Sequence, residues 1–354
     1  MSIIFSKEVT DLLKNNRDRL LLWRYNQNLK LIIERKMKAF ESETGALSKQ
    51  DKYKCDSYAK EILGWKGYSI GLQLYTLRAG IFKEGWIPEN YFYTRVMPKW
   101  QGQYGQTSNL RCLNSKFFKS KKNLDLAYLV NNRWYTINFT PINEYELLEI
   151  LKKTSEKVVF KLDSSYQGRG IYIQQIEKLN LSYLKKLGNG VLQRFIKQHE
   201  FFNQFTTNSV SCVRITSVIS LDGSPEVRGA FLRIGQSKDS YVNYESEIAV
   251  AINMQNGKMQ PTGYYSDWTS CNFHPDSKVH FENKKIPLFK NMIETVLNLH
   301  KQMPLVGIIG WDVIVDENND IVLMEWNGYG SDVAFSEFSQ GPCFKNLGWE
   351  TLKP

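Results

Sequence analysis

The sequence predicts an α+β protein with a helical N-terminal region followed by mixed strands and helices. Two observations support this class. Apolar residues recur at threes and fours through residues 7–40, as in an amphipathic helix. From about residue 127, short strand-like runs are joined by hairpins and short helices. Antiparallel hairpins mixed with helices are typical of α+β architecture rather than of a doubly wound parallel sheet.

The elements divide the chain into a helical and a mixed region. A polar break with a glycine follows the first helix, and a second helical stretch is expected at about 51–83. We therefore predict a mostly helical N-terminal region over 1–110, followed by mixed strands and helices.

Strands and helices then follow one another to the end of the chain. Asn131-Asn132 predicts a hairpin turn, and NEYELLEILKKT, LSYLKKL and PLFKNMIETVLNLHKQM predict helices. The predicted strands are VVFKLD, IYIQQI, VLQRFI, SVSCVRITSVIS, EVRGAFLRIG, IAVAINM and the closing pair IIGWDVIV and IVLMEWN.

Composition excludes several classes of protein. The 354 residues are 42% hydrophobic and 13% aromatic, which argues against disorder. No apolar run reaches the roughly 18 residues of a membrane span, and the start lacks a signal-peptide pattern. We expect a cytoplasmic protein, with peripheral attachment to the inner face of the membrane left open. The five cysteines and four histidines are isolated, so neither a disulfide framework nor a zinc site is indicated.

The charge balance leaves several partners open. The formal net charge of +10 is dispersed along the chain and suits nucleotides, acidic glycans, phospholipid head groups or nucleic acid. A nucleic-acid-binding protein would require a clustered basic stripe with aromatics, and the dispersed charges argue against it.

The closing hairpin carries polar residues in two apolar runs. If residues 317–320 connect its strands, residues whose numbers add to 637 face each other, so Asp312 and Glu325 are cross-strand neighbours. Asn327 lies two residues beyond Glu325, on the same face. Three oxygen donors, two of them anionic, suit Mg²⁺ or Mn²⁺ better than zinc. The alternative is a solvent-exposed face of an edge strand.

A lysine and a glycine-containing loop form a second element. Lys161 lies near the end of a strand, and after six residues come Gly168-Arg169-Gly170 and another strand. Backbone N–H groups at glycines, together with hydroxyl and basic side chains, can bind phosphates. The alternative is an ordinary turn, since the segment matches neither a Walker A loop nor GxGxxG. The candidate loop residues are Ser164, Ser165, Gly168, Arg169 and Gly170.

The end of the strand VLQRFI forms a third element. Gln193 and the backbone of Arg194, Phe195 and Ile196 could meet the edge of an adenine, with Glu200 near the ribose. Alone, this pattern equally describes a buried strand leaving its sheet.

The order of these elements resembles the ATP-grasp superfamily. More specifically, SVSCVRITSV, GAFLRIG, HPDSKVHFENKKIPLFKNM, GWDVIV, MEWNGYG and SQGP are similar to the sugar-transfer-associated ATP-grasp proteins. The resemblance covers roughly residues 85–345 and is strongest from 205 onward. It implies two α+β lobes that clasp ATP, an N-lobe over 111–196 and a C-lobe over 197–354.

The resemblance also implies roles for individual residues. Asp312, Glu325 and Asn327 would hold one or two Mg²⁺ (or Mn²⁺) that bridge the ATP phosphates. Lys161 would contact the phosphates beneath the 164–170 loop, which would close as a lid. A second phosphate-binding lysine is implied, and Lys116 in LNSKFFKSKK matches best. Gln193 to Ile196 would meet adenine, and Glu200 the ribose.

One position departs from the family pattern. Better-known ATP-grasp ligases carry an arginine two residues before the metal-binding Asp, and here that residue is Gly310. Arg214 and Arg233 lie in the middle of apolar strands and are the candidates to supply the missing charge. The alternative for each is a structural ion pair with a carboxylate.

The resemblance predicts an ATP- and Mg²⁺-dependent ligase. A substrate carboxylate would take the γ-phosphoryl group and an amine would capture the acyl phosphate, one of the two being sugar-linked, in capsule or other cell-surface polysaccharide synthesis. The alternative is a kinase that stops after phosphorylating a small molecule such as an amino-acid amide or a sugar derivative. The expected partners are ATP and these small molecules, without nucleic acid, and the sequence gives no oligomeric state.

Overall fold

The computed structural model describes residues 7–118, 124–154, 156–163, 165 and 170–352, with the side chains of 7–19 and 43 left aside. The chain forms two compact units. One comprises the helical residues up to Lys99 together with the segment from Val333 onward, and the other comprises Trp100–Asp332.

The first unit is helical. Its helices are α1 (Lys7–Thr44), α2 (Lys49–Ser57), α3 (Ser69–Ala79), α4 (Glu89–Tyr91), α5 (Met97–Trp100), which runs into the next unit, and later α11 (Val333–Gln340). The predicted helix at 51–83 is interrupted, because a π-helical turn at Tyr58–Ile62 is followed by Gly64 at φ +86° and a 3₁₀ turn at Lys66–Tyr68. A left-handed glycine ends an α-helix. In the described part of the chain, no helix is both long and apolar enough to cross a membrane.

Residues 333–352 lie in the helical unit rather than with the strands that the sequence grouped them with. Glu337 of α11 accepts a hydrogen bond from Ile87 N at 2.7 Å and one from Phe344 N at 3.1 Å. Tyr91 donates to the carbonyl of Trp349 at 2.7 Å. These buried long-range bonds, which no local pattern reveals, hold the C-terminal segment in this unit.

The second unit begins with a six-stranded antiparallel sheet. Its order is β3-β2-β1-β6-β4-β5. Leu147 and Leu151 of α7 and Leu184 of α8 pack on one face of this sheet, against residues such as Phe160. The elements are β1 (Asp125–Val130), β2 (Arg133–Thr136), β3 (Pro141–Ile142), α7 (Glu144–Thr154), β4 (Lys157–Leu162), β5 (Ile171–Gln175), α8 (Leu181–Leu187) and β6 (Gly190–Arg194), after the short α6 (Asn114–Phe117). The predicted hairpin at Asn131-Asn132 is confirmed, since Val130 pairs with Arg133.

A seven-stranded antiparallel sheet follows. Its order is β11-β10-β9-β8-β7-β12-β13, and Met292, Val296 and Leu299 of one helix pack in its core. The elements are α9 (Glu200–Asn203), β7 (Cys212–Ile219), β8 (Pro225–Ile234), β9 (Ile248–Ile252), β10 (Met259–Tyr264), β11 (Ser270–Cys271), α10 (Phe289–His300), β12 (Ile308–Val315) and β13 (Ile321–Asn327). The predicted α+β class is confirmed by these two sheets and their helices.

The register of the β12–β13 hairpin changes by one residue along its length. Asp312 pairs with Glu325, as the sequence predicts, but Val313 pairs with Leu323. Met324 is therefore an extra residue, a β-bulge, and the predicted pairing is wrong toward the turn. The bulge frees the Met324 carbonyl from the ladder, and the Lys161 ammonium donates to it at 3.0 Å.

Candidate active site

A cleft lies between the two sheets of the second unit. Its wall is apolar in one part and charged in another. The lining residues are Leu124, Val159, Lys161, Ile171, Ile173, Gln193, Arg194, Phe195, Ile196, Val210, Cys212, Arg214, Arg233, Ser240, Tyr241, Val242, Asp312, Met324, Glu325 and Asn327.

Strand alternation on β4 explains which residues face the cleft from the first sheet. Val158 and Phe160 are buried in the core under α7 and α8, so Val159 and Lys161 point to the opposite face, toward the cleft. Lys161 is almost fully buried. Burial lowers the pKa of its ammonium, an effect that the carboxylate of Glu325 opposes and the charge of Arg111 reinforces. A cation held in this environment favours an anionic partner.

The strand end at 193–196 borders the apolar part of the cleft. Gln193 donates from Nε2 to Asp125 Oδ1 at 2.8 Å, so its amide is fixed by a buried acid. Burial raises the pKa of that acid, against the hydrogen bonds from Gln193 and Tyr128. Arg194 N donates to the carbonyl of Leu124 at 2.9 Å, which fastens the linker where it leaves the sheet.

Arg214 and Asp312 form a bidentate ion pair on adjacent strands. Arg214 Nε lies 2.7 Å from Asp312 Oδ1, and Nη2 lies 3.0 Å from Oδ2. Nη1 also donates to the Gly330 carbonyl at 2.6 Å and contacts Asp332 at 2.5 Å. Burial alone would raise the pKa of Asp312, but Arg214 outweighs it and the pKa falls below its ordinary value.

Gly310 makes room for this guanidinium. A Cβ added at 310 would lie 3.2 Å from Arg214 Nη1 and 3.0 Å from the Cα of Ser331. Residue 310, where the resemblance would predict an arginine, therefore has no side chain, and Arg214 on the neighbouring strand occupies the adjacent space.

Glu325 has a different basic partner. Arg111 Nη1 lies 3.0 Å from Glu325 Oε1, and the Glu325 side chain is 20% exposed. Arg111 Nε also donates to the Leu162 carbonyl at 2.8 Å, and its Nη2 donates to the carbonyl of Ser165 at 3.1 Å. One guanidinium therefore bridges the second sheet and the base of the glycine-containing loop.

Asp312, Glu325 and Asn327 all line the cleft, as the sequence predicts for one face of the hairpin. Asn327 Nδ2 lies 3.5 Å from Asp312 Oδ2. In the described residues there is no cluster of three or more His, Cys, Asp or Glu suited to a metal, and the third member of this set is an amide. Two carboxylates and an amide on one face form an oxygen donor set that fits Mg²⁺.

Arg233 is held by its own acid. Its Nε and Nη2 lie 2.7 and 2.6 Å from Glu247 Oε2, and its Nη1 lies 3.7 Å from Asp312 Oδ2. Arg214 and Arg233 thus both make the ion pairs that the alternative interpretation describes, while both also line the cleft. Ser240, Tyr241 and Val242, in the loop between β8 and β9, close the cleft beside them.

Comparison with protein families identifies the family of this chain. The family model described as sugar-transfer associated ATP-grasp matches residues 149–348. The chain belongs to the sugar-transfer associated ATP-grasp family. Among curated proteins, none matches the sequence.

Several solved structures show weak similarity to this chain. An ADP complex of N5-carboxyaminoimidazole ribonucleotide synthetase is 12% identical, with 72% of this chain and 54% of that chain covered and a TM-score of 0.38. Biotin carboxylase from Campylobacter jejuni is 12% identical, with 91% and 67% covered and a TM-score of 0.44. The D-alanine-D-alanine ligase from Coxiella burnetii is 11% identical, with 71% and 58% covered and a TM-score of 0.39. The chain spans about half the length of the first of these, and the likenesses concern the fold alone.

Other residues predicted for the ATP-grasp site lie at its border or away from it. Ser165 and Gly170 sit at the base of the loop, where Ser165 Oγ donates to the Leu162 carbonyl at 2.8 Å. Glu200 lines a neighbouring pocket that shares Phe195, Ile196 and Val210 with the cleft. Lys116 is exposed, with Nζ 4.6 Å from the Phe139 ring centroid. Ser164, Gly168 and Arg169 lie outside the described residues.

Sequence reasoning missed Arg111 and Asp125. Both are buried polar residues beside predicted site residues: Arg111 contacts Glu325, and Asp125 accepts from Gln193. Asp125 opens a predicted strand region, and a charged residue beside an apolar run was the available signal. Arg111 has no comparable local signal, because its partners are 51 to 214 residues away in the sequence.

Proposed function

We propose that the protein is an ATP- and Mg²⁺-dependent carboxylate–amine ligase that acts through an acyl phosphate. The observation that carries the proposal is the convergence of Lys161, Asp312 and Glu325 from two sheets on one cleft. Such a charge pattern suits a polyphosphate with its cation, and membership of the family supports it.

ATP would lie along the cleft with its base in the apolar part. The aliphatic side chains of Leu124, Ile173 and Val210 provide apolar contact, and the 193–196 strand end offers backbone groups to a base edge. Glu200, in the neighbouring pocket, would meet the ribose. The phosphates would then reach Lys161, with Ser165 and Gly170 at the base of the loop above them.

Asp312, Glu325 and Asn327 would hold Mg²⁺, or Mn²⁺ in its place. The ion supplies positive charge against the phosphate oxygens when bound. Arg214 keeps Asp312 ionised and oriented, because a bidentate pair fixes both the charge and the plane of a carboxylate. Lys116, whose side chain is exposed on α6, would need to move toward the cleft to contact a phosphate.

The chemistry requires positioning and electrostatic stabilisation rather than a protein nucleophile. An oxygen of the substrate carboxylate attacks the γ-phosphorus, the bond to the bridging oxygen breaks, and ADP leaves. An amine nitrogen then attacks the acyl carbon, phosphate is expelled, and the nitrogen loses a proton. Lys161, Arg214 and Arg233 surround the charged part of the cleft where negative charge would accumulate.

The family's association with sugar transfer supports a proposal for the substrate class. We propose that one substrate is a sugar acid or amino sugar of a cell-surface polysaccharide and the other an amino acid or amine. The net charge of +10 is compatible with an acidic glycan. We further propose that the reaction takes place in the cytoplasm.

Replacement of Glu325 tests the metal site. Glu325→Gln is expected to retain the fold and lose at least about a hundredfold of Mg²⁺-dependent ATP consumption, because removing one charged partner from such a site costs about 3 kcal/mol. Glu294→Gln, an exposed acid on α10, is the matched control. Undiminished turnover in the Glu325 variant would refute the assignment.

Product analysis separates the ligase from a kinase. Candidate sugar acids and amino acids are screened for ADP release, and the products of active pairs are weighed by mass spectrometry. An amide together with ADP and phosphate supports the ligase. A stable phosphorylated product, formed without the amine, would instead establish the kinase.

A further inference from the structure

Helix α1 presents a second apolar face that no described residue covers. Its first face, with Leu29, Ile33 and Phe40, is buried in the helical unit. On the other side, Leu20, Leu21, Leu31 and Ile32 are each about half exposed, at 49%, 53%, 55% and 47%. Exposed apolar side chains of this size are common singly, whereas an ordered group of them marks an interaction surface.

The spacing places these four residues on one side of the helix. Leu20 and Leu31 are eleven residues apart, as are Leu21 and Ile32. At about 100° per residue, eleven residues return to within about 20° of the starting direction and advance roughly 16 Å. The four side chains therefore form two pairs roughly 16 Å apart along one side of the helix, and we call them the outer face of α1.

The charges around the outer face all have one sign. Arg24, Arg35 and Lys38 are exposed and lie within about 60° of the middle of the outer face. Glu34 and Glu41 lie about 100° and about 120° from it, and Glu34 is paired with Lys30 at 3.7 Å. Trp23, 59% exposed, flanks the face.

We propose that the outer face of α1 docks on the surface of an anionic lipid bilayer. Aliphatic side chains would enter the boundary between head groups and acyl chains, with the helix lying in the plane of the membrane. Arginine and lysine would meet the lipid phosphates, and tryptophan is typical of this depth. The outer face suits an anionic bilayer because its cations lie among its apolar side chains.

A second copy of the chain fits the same face less well. Two copies packed through it would bring Arg24 and Arg35 together in an apolar seam without an acid to pair with them. Burying unpaired like charges is unfavourable. This docking surface lies within the helical unit, so the proposal is independent of the function proposed for the cleft.

Co-sedimentation of the full-length protein with vesicles tests the proposal. The probes are phosphatidylcholine vesicles and vesicles with about a third of phosphatidylglycerol. The wild type is expected to bind the anionic vesicles at least about tenfold more tightly, and less so at high salt. Leu31→Gln/Ile32→Gln should lose at least about tenfold of that affinity. Leu221→Gln, which removes an exposed leucine elsewhere, should bind as the wild type does.

A second variant separates charge from apolar contact. Arg24→Gln/Arg35→Gln should weaken binding to anionic vesicles and flatten its salt dependence, with the helical circular dichroism signal unchanged. Equal vesicle binding by the wild type and both double variants overturns the proposal. So does a wild-type dimer that ignores vesicles and becomes a monomer in Leu31→Gln/Ile32→Gln, since the face would then join two copies.

Discussion

Gly328 offers a sharp test of how the hairpin is held against the segment before the first sheet. A Cβ added at Gly328 would lie 2.5 Å from the Cα of Gly105 and closer still to its carbonyl oxygen. Real Cβ contacts essentially never fall below 3.0 Å, so the two backbones would have to separate by at least about 0.5 Å. Both are backbone atoms, so no flexible side chain can absorb the shift.

Gly328→Ala is therefore expected to destabilise the protein by about 2–3 kcal/mol, the usual cost of overpacking a tight contact. For a unit of this size, that corresponds to a melting temperature lower by roughly 5–10 °C. Because Asn327 is the preceding residue, the same displacement should weaken binding of MgATP.

Gly330→Ala is the matched control two residues away. An added Cβ there meets nothing within 4 Å. Chemical denaturation gives the unfolding free energy of both variants, and a MgATP titration gives their affinities for MgATP. If Gly328→Ala were as stable as Gly330→Ala and bound MgATP equally well, the close approach of the two backbones would be refuted, and with it the reasoning on Asn327.

Three further substitutions test particular contacts. Arg111→Lys keeps the charge, but a lysine cannot contact Glu325 and the Leu162 carbonyl together. The KM for ATP should therefore rise about tenfold, while the melting temperature changes little. An unchanged KM would show that the bridge made by Arg111 is dispensable. Lys161→Met should abolish a MgATP-dependent thermal shift, because a buried cation would be lost from the cleft; a retained shift contradicts the phosphate assignment. Burial raises the pKa of Glu337 to about 8, so the folded state holds a proton that the unfolded state releases above about pH 4.5. The unfolding free energy should therefore fall by up to about 1.4 kcal/mol per pH unit between about pH 5 and 8, relative to Glu337→Gln. Parallel stability curves for the two proteins would contradict this pKa.

The parts of the site that were predictable from sequence are those set by local spacing. The sequence places Asp312 opposite Glu325 correctly, although the register at the turn alone would put Met324 there and the bulge at Met324 brings Glu325 into place. Lys161 faces the cleft because side chains alternate along a strand. This alternation depends only on neighbouring residues.

The remainder depends on contacts between distant segments. The bulge at Met324 accompanies the bond from Lys161, which lies 163 residues away. The partner of Arg214 follows from the pairing of β7 with β12, about a hundred residues apart. The C-terminal segment lies in the helical unit because Glu337 accepts bonds from residues 7 and 250 positions away. No pattern in a single stretch of sequence reveals such neighbours.

The absence of a side chain at residue 310 links this position to residue 214, which is distant from it in the sequence. The Arg214 guanidinium and any side chain at 310 would compete for one volume, since a methyl group there already approaches Nη1 to 3.2 Å. Residues 310 and 214 should therefore change together during divergence. A relative with a larger side chain at 310 should carry a shorter residue at 214. Gly310→Arg alone would therefore place the new side chain against the Arg214 guanidinium instead of supplying a useful positive charge.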